Sequence, residues 1–318
     1  MKITPLGSHQ GEFCRNDRAL LFEDPTGIRI LWDPGRTVDE NDPRLGTVHV
    51  VLLSSVHGDH IGDTKPNLTS PGTCAAPGTV SAAPNSTAAA IAATKNAAVF
   101  AGGEMATFLA DKIADVRGVP TPGCPDSDSD NPMSIPLTAP CTGTLRPGGT
   151  RAVRMAISTS TAAVSIANFQ AFHSNGIPPS LVDAPGVANG TTAYGGNDGG
   201  AIIEFTNGLH VYCTGDTGLT GDMKIIVNNY YDVDLVVANI GDSVTLGPRE
   251  GAYAINLLLQ PKTVIPQHIN EAATINGVPA GRRLPLFLKL VDPILTKVVV
   301  PLSGVTRMFD GQGHCTNC

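Results

Sequence analysis

The chain has 318 residues, of which 42% are hydrophobic and 15% charged, and its formal net charge is −7 at neutral pH. Nucleic-acid binding proteins hold phosphates with clustered lysine and arginine, and the 21 basic residues here form no basic block, so we expect no nucleic-acid partner. No apolar stretch approaches the ~20 residues that a membrane helix needs, so we expect no membrane partner either.

The first third of the chain alternates strands with helices. In chain order we predict two strands joined by a turn, a buried strand, an alanine-rich helix, a short strand and an amphipathic helix, over residues 19–35, 47–55, 86–96, 97–101 and 103–116. This alternation is typical of an α/β architecture.

The remaining two thirds contain further strands and helices, separated by two long loops. Residues 117–150 and 174–200 are rich in Gly, Pro and Asn or Asp, and both segments are predicted to be loops. Between and after them we predict two strands, a hairpin on Asn207-Gly208, then strand, helix, strand, helix and a closing strand, over residues 150–159, 163–172, 201–216, 234–240, 247–261, 262–268, 282–292 and 296–304.

Seven cysteines are present, and four of them bracket short segments. Cys124 and Cys141 enclose a loop, and Cys315 and Cys318 form a terminal CTNC sequence. We interpret such pairs as disulfides made in an oxidising compartment, with reduced structural thiols as the alternative. We therefore expect a periplasmic or secreted protein, and keep the cytoplasm as the alternative.

Side chains that bind metals follow five apolar strands at the point where each strand ends. They are Asp33, the group His57, Asp59 and His60, and then His173, Asp216 and His268. Because ligands bind at the carboxyl ends of strands in an α/β sheet, these groups are expected to converge on one cleft. Imidazole and carboxylate are zinc ligands, and the glycines around Asp216 in TGDTG allow its carboxylate to approach two ions. The sequence therefore predicts a hydrolytic zinc centre.

In this order the residues resemble the metallo-β-lactamase superfamily, whose mark is HxHxDH, then a lone His, an Asp in a GD step and a final His. The closest resemblance is to the branch of the L-ascorbate-6-phosphate lactonase, through TGDTG, GPREGAYAINLL and TVIPQHINE. It implies an αββα sandwich in a single domain over residues 1–318, with loop insertions near 64–84, 119–148 and 174–199.

The resemblance also implies one or two zinc ions per chain and a metal-bound hydroxide as the nucleophile, with Asp59, Asp216 and His57 in the catalytic roles. Six side chains would hold the ions in two sets that share Asp216: His57, His173 and Asp216 for the first ion, and Asp59, His60, Asp216 and His268 for the second.

Ser55 stands where the family usually has its first histidine. A neutral hydroxyl is a poor zinc ligand beside imidazole, so the first site keeps three protein ligands, one of them shared. We expect a weakly occupied first site or a single metal in the second site. A non-catalytic protein is the alternative.

Five further residues are candidates around the cleft. Asp33 in WDPG matches a family residue that orients a ligand. His9 could contact substrate or metal-bound water, or be an exposed loop histidine. Asn175 and Tyr194 could bind substrate, or belong to a plain surface loop. Asp242 could line the cleft, or cap the helix that follows it.

Together these features predict a zinc-dependent hydrolase of a small organic molecule, acting by lactone or ester opening. One alternative is hydrolytic dehalogenation of a halogenated aromatic, as by chlorothalonil dehalogenase in this superfamily. Another is phosphodiester cleavage, which would need cationic groups near the cleft. A third alternative is a metal-stabilised binding protein without turnover. The sequence leaves the oligomeric state open, with a homodimer as one alternative.

Overall fold

Two large β-sheets form the centre of the molecule. The computed structural model describes residues 1–67, 72–157, 161–182 and 193–318. From one edge to the other, the first sheet consists of β21 (Arg307–Met308), β1 (Lys2–Pro5), β2 (Leu20–Glu23), β3 (Arg29–Trp32), β4 (Val50–Leu52), β7 (Ala98–Ala101) and β9 (Cys141–Thr144).

The second sheet has eight strands. In spatial order they are β20 (Lys297–Val298), β17 (Thr263–Gln267), β16 (Leu235–Asn239), β15 (His210–Cys213), β14 (Gly199–Glu204), β11 (Val164–Gln170), β10 (Thr150–Met155) and β8 (Met133–Ile135). The pairs from β20 to β15 are parallel, whereas β14 runs antiparallel to both β15 and β11. The start of β14 therefore lies at the same edge as the ends of β11 and β15.

The sheets face each other across one apolar core. It combines side chains of both sheets, among them Phe22, Trp32, Phe100, Ile166, Ile203, Val211 and Val237. Strands such as β4 and β16 are buried along their whole length, which explains why they read as continuous apolar runs rather than as alternating patterns.

Helices cover the outer face of each sheet. The first sheet carries α1 (Gly58–Ile61), α2 (Thr87–Lys95) and α3 (Gly103–Arg117). The second carries the π-helical segment Met223–Asn228, α4 (Pro248–Tyr253) with its π-helical continuation Ala254–Leu259, and α5 (Arg283–Leu290); a 3-10 turn spans Pro179–Leu181. These four layers confirm the predicted αββα sandwich. No helix in the described ranges combines the length and apolar character needed to cross a membrane.

Three two-stranded ladders lie outside the large sheets. They are β5 (Thr64–Pro66) with β6 (Thr79–Ser81), β12 (Gly176–Ile177) with β13 (Ala193–Tyr194), and β18 (Thr274–Ile275) with β19 (Val278–Pro279). The first two fall in segments where we predicted insertions. Residues 68–71 and 183–192 of those segments, and the predicted strand end at 158–160, lie outside the described residues.

Three sequence predictions of secondary structure differ from the structure. The predicted loop over 174–200 contains β12, β13 and the 3-10 turn Pro179–Leu181. Residues 117–150 are not one loop, because β8 and β9 lie within them and β9 forms an edge of the first sheet. Its sequence, CTGT, has no apolar pattern that would predict a strand. The closing strand predicted over 296–304 is shorter than expected: β20 covers Lys297–Val298, the Val299 N–H still donates to the Val264 carbonyl, and Pro301 has no N–H to continue a ladder.

Three disulfides tie the chain. Cys124–Cys141 and Cys315–Cys318 are disulfides, as predicted for the bracketing pairs, and Cys14–Cys74 is a third that the sequence analysis did not predict. Its two cysteines are 60 residues apart, so no local spacing links them. Cys213 remains as a buried free thiol.

Candidate metal centre

The predicted strand-end residues converge at one edge of the two sheets. The structure brings together His57, Asp59, His60, His173, Asp216 and His268, with Asp33 beside them. The residues that follow β3 and β4 in the first sheet face those that follow β11, β15 and β17 in the second. The convergence expected from strand-end positions is therefore present.

One half of the centre is a tight cluster of Asp59, His60 and His268, whose ligand atoms all lie within 4.8 Å of one another. His268 Nε2 is 3.1 Å from Asp59 Oδ2. Asp59 and His60 come from the single turn of α1, and this turn places both side chains on the same side of the strand end. We call these three residues the second-metal cluster.

Asp33 fixes the imidazole of His60. Asp33 Oδ2 lies 2.9 Å from His60 Nδ1, and the other carboxylate oxygen accepts the Ser54 backbone N–H at 2.9 Å. With Nδ1 held there, His60 directs Nε2 toward Asp216, 3.3 Å away. The contact has the arrangement by which a carboxylate behind a ligand histidine sets its tautomer and orientation.

Asp216 stands between both halves of the centre. Its Oδ2 lies 3.3 Å from Nε2 of His60, 3.3 Å from Nε2 of His268 and 3.8 Å from Nε2 of His173. Its other oxygen accepts a hydrogen bond from Asn239 Nδ2 at 2.8 Å. A carboxylate surrounded by three imidazoles in this way is placed to bridge two cations.

The other half of the centre contains His57, His173 and Asp198, whose ligand atoms also lie within 4.8 Å of one another. The rings of His57 and His173 meet edge to face, with centroids 5.1 Å apart. Asp198 was not predicted, because it precedes its strand, β14, whereas our search considered residues that follow strands. We call these three residues the first-metal cluster.

Two more residues of the centre were missed by the sequence analysis. Arg18 is only 4% exposed, and its Nη2 donates to Asp59 Oδ2 at 3.1 Å and to Asn270 Oδ1 at 2.8 Å. It belongs to the segment before β2, where nothing in the sequence indicates a partner 41 residues later. Asn239 is the last residue of β16, so the strand-end rule would have found it had amides been included.

Ser55 is occupied by contacts within the protein. Its hydroxyl donates to Asn175 Oδ1 at 3.1 Å and accepts the His57 backbone N–H at 3.1 Å. Asn175 Oδ1 also accepts the Val56 N–H at 2.8 Å, while Nδ2 donates to the Gly195 carbonyl at 3.3 Å. These bonds join the loop after β4 to the loop after β11.

A cleft of about 290 Å³ opens beside the first-metal cluster. The described residues that line it are Gln170, Ala171, His173, Ser174, Asn175, Gly176, Ala193, Tyr194, Gly196, Asn197 and Asp198. Tyr194 is 64% exposed at its rim, where its hydroxyl donates to Asn197 Oδ1 at 2.7 Å. Asn175 and Tyr194, predicted as substrate residues, both border this cleft.

The hydrogen bonds of His9 and Asp242 are made to residues outside the two metal clusters and the cleft. The ring nitrogens of His9 lie 3.2 Å from the Ser8 hydroxyl and 3.3 Å from the Gly72 carbonyl. Asp242 is exposed in the loop after β16, and its carboxylate accepts the Ser243 N–H. The helix that begins at Pro248 has no side-chain cap. Their predicted roles at the cleft remain predictions.

Electrostatics at the centre favours positive charge. Burial acts to raise the pKa of Asp59 and of Asp216, but the neighbouring His60 and His268 outweigh it and hold both well below the usual range. Burial acts to lower the pKa of His60, but the Asp33 and Asp216 carboxylates outweigh it and raise that pKa well above the usual value. The carboxylates thus attract cationic charge, which a divalent ion can supply.

The residues present fit a divalent metal. Burial lowers the pKa of His57 and of His173, which favours the neutral imidazole that binds metals. Asp198 Oδ2 is buried and has no hydrogen-bond partner among the described residues. Leaving a buried carboxylate oxygen unpaired costs free energy, and a cation beside it would remove that cost. Histidine and carboxylate are also the donors that zinc, iron and manganese sites use.

Comparison with known proteins supports this assignment. A family model described as a beta-lactamase superfamily domain matches residues 16–268, a range that contains both clusters and Asp216. A UPF0173 metal-dependent hydrolase of Cupriavidus necator is 28% identical over 269 residues, which cover 82% of this chain and 74% of that protein. One from Pelotomaculum thermopropionicum is 30% identical over 282 residues, covering 88% and 89%.

A solved structure with the same fold is that of a metallo hydrolase from the hyperthermophilic archaeon Ignicoccus hospitalis. It is 22% identical, the alignment covers 97% of this chain and 99% of that one, and the TM-score is 0.58. This likeness concerns the fold alone. Together with the family match and the converging histidines and carboxylates, it leads to one conclusion. The chain belongs to the β-lactamase superfamily and is one of its metal-dependent hydrolases.

Proposed function

We propose that the protein is a zinc-dependent hydrolase that opens a lactone or ester bond in a small, uncharged organic molecule. The observation that carries this proposal is the cleft beside the first-metal cluster. His173 and Asp198 lie in its wall, so a molecule bound there would have its reactive group next to the metal ligands. A volume of about 290 Å³ falls near the lower end of ligand pockets and suits a small substrate.

The lining of the cleft supports a neutral substrate. Among the described residues that line it there is no lysine or arginine, and its acidic group is Asp198. A phosphodiester anion would want cations there, whereas a lactone or ester carbonyl needs hydrogen-bond donors and an electrophile. The amide and hydroxyl groups of Gln170, Asn197 and Tyr194 can orient such a molecule.

The protein's own residues would divide the work around the metal. When bound, zinc supplies Lewis-acid activation of water and of the scissile carbonyl. Asp216 holds both halves of the centre together, and Asp33 keeps His60 in its ligating orientation. Arg18 neutralises part of the negative charge on Asp59 and fixes its position.

The test is turnover by chelator-treated protein reloaded with zinc, on γ- and δ-lactones, nitrophenyl esters, bis-nitrophenyl phosphate and a chlorinated aromatic. We expect lactone or ester hydrolysis that His268→Ala abolishes and that Asp24→Asn leaves unchanged, because Asp24 is a buried carboxylate in the β2–β3 turn, at the opposite end of β3 from Asp33. Halide release or phosphodiester cleavage alone would replace the proposed reaction. A zinc-loaded protein that turns over none of these compounds would support a binding protein.

We also propose that the protein works in the periplasm or outside the cell. Its three disulfides support this location, since such bonds persist in oxidising compartments. Thiol titration of denatured, unreduced protein from its native host should find one thiol per chain, that of Cys213. Seven thiols would contradict the proposed location.

A further inference from the structure

We infer that Asp198 is a ligand of the first metal and takes the place of the histidine that Ser55 replaces. The inference rests on the proposed metal centre and concerns how this chain completes it. The sequence alone led us to expect a weak or vacant first site. The structure instead offers a carboxylate from the facing sheet.

Ser55 does not serve as that ligand. Its hydroxyl hydrogen is given to Asn175, and its oxygen already accepts the His57 N–H. The side chain is fully buried among these contacts. Ser55 therefore links the loop after β4 to the loop after β11 by hydrogen bonds. The ligand that the family's histidine would provide at this position has to come from another residue.

Two backbone hydrogen bonds hold Asp198 beside the first-metal cluster. Its carbonyl oxygen accepts the Ala171 N–H at 3.1 Å, which ties it to the segment that leads from β11 to His173. The next residue, Gly199, donates its N–H to the Ser54 carbonyl at 3.0 Å, which ties it to the residue before Ser55. Asp198 thus approaches the Ser55 position from the second sheet.

One carboxylate oxygen of Asp198 has no hydrogen-bond partner among the described residues. Oδ1 accepts the Gly199 N–H at 3.0 Å, whereas Oδ2 is buried and unpaired among the described residues. A ligand atom of this carboxylate lies within 4.8 Å of the ligand nitrogens of both His57 and His173. A buried carboxylate is rarely left unpaired, and metal coordination is one of the few ways to satisfy it.

The consequence is a centre with two matched donor sets. Each metal would have two histidines and one carboxylate of its own, with Asp216 shared: His57, His173 and Asp198 on one side, and Asp59, His60 and His268 on the other. Exchanging a neutral imidazole for a carboxylate adds one negative charge and one hard oxygen donor. The added charge attracts a divalent ion more strongly, and the oxygen donor widens the tolerance of the first site toward manganese.

The experiment counts metal ions rather than turnover. Chelator-treated protein is titrated with Co(II), followed by its visible absorption, and the dialysed samples are analysed by plasma mass spectrometry. Wild type should bind two equivalents. Asp198→Asn, which is nearly isosteric, should keep the second-site ion and bind the other at least about tenfold more weakly. The matched control Asp24→Asn removes a buried carboxylate far from the centre and should bind two equivalents with wild-type affinity.

The variant His268→Ala distinguishes a failure of the inference about Asp198 from a failure of the proposed function. If wild type binds metal and His268→Ala loses one equivalent while Asp198→Asn binds like wild type, the inference about Asp198 is overturned and the metal centre stands. If wild type and His268→Ala alike bind none, the proposed function fails with it. Should Asp198→Asn not fold by circular dichroism, Asp198→Glu replaces it, because the longer side chain displaces the carboxylate. An unchanged first-site affinity in that variant would equally overturn the inference.

Discussion

The two halves of the metal centre differ in how firmly the protein holds them. The second-metal cluster is braced from behind: Asp33 holds His60, and Arg18 holds Asp59. In the first-metal cluster, His57 and His173 are half-buried, and His173 faces the cleft. The first-metal cluster also draws its third member, Asp198, from the start of a strand rather than from its end.

This difference suggests that the second-metal cluster mainly retains its ion, whereas the first-metal cluster presents its ion to the substrate. A doubly braced cluster binds its ion in a fixed geometry, because its ligands are pre-organised. A cluster that borders a cleft leaves room for substrate and solvent beside its ion. We therefore expect changes in the second-metal cluster to remove metal and activity together, and changes in the first-metal cluster to separate the two.

The largest effect is expected from His268→Ala. This change removes a second-site ligand that contacts both Asp59 and Asp216, so the second ion should be lost and turnover should fall below detection. Asp59→Ala should behave in the same way. Metal analysis and lactone or ester turnover check the result, with Asp24→Asn as the control. Two bound ions together with wild-type turnover would remove the second-metal cluster from the mechanism.

A smaller effect is expected from His173→Ala. The variant should lose the first ion but retain one equivalent in the second site, since the bracing of His60 and Asp59 is untouched. Because His173 also lines the cleft, KM should rise as kcat falls. Co(II) titration and steady-state kinetics measure both. Loss of both ions would show that the two clusters do not bind metal independently and would contradict the proposed difference between them.

The bracing itself is tested by Asp33→Asn. The amide keeps the shape of the side chain but loses the charge that faces His60 Nδ1 at 2.9 Å. Second-site metal affinity should fall about 10–100-fold, the range found when partners of ligand histidines are changed, while first-site affinity changes little. Competition with a chromophoric chelator gives both constants. If first-site affinity falls equally, Asp33 acts through the fold rather than through His60.

The sequence was sufficient to predict those residues of the metal centre that directly follow an apolar strand. Apolar strands that end in His or Asp could be recognised along the chain, and the sheet then brings those ends together. The αββα layers were predictable for the same reason, because buried strands such as β4 and amphipathic helices such as α3 have clear patterns. The family order of the residues supplied the pairing of ligands into two sets.

The remainder depends on geometry that spacing does not carry. Asp198 reaches the centre because β14 runs antiparallel to β15. The predicted hairpin implied this direction, but our search considered only residues that follow strands. Arg18 contributes through a contact across 41 residues, and the Cys14–Cys74 bond spans 60. The role of Ser55 was equally hidden, since its partner Asn175 lies 120 residues later, in the loop after β11.

Ser55→Ala is expected to have the smallest effect on metal, and it tests whether the first-metal cluster needs the serine at all. The change deletes the hydrogen-bonded link between the two loops and leaves the His57 N–H without its acceptor, at a cost of about 1–3 kcal/mol in the free energy of unfolding. Two equivalents of metal should still bind, because Asp198 rather than Ser55 completes the site. Thermal melting and Co(II) titration separate the two effects. A loss of one equivalent without a loss of stability would make Ser55 a ligand of the first metal and weaken the case for Asp198.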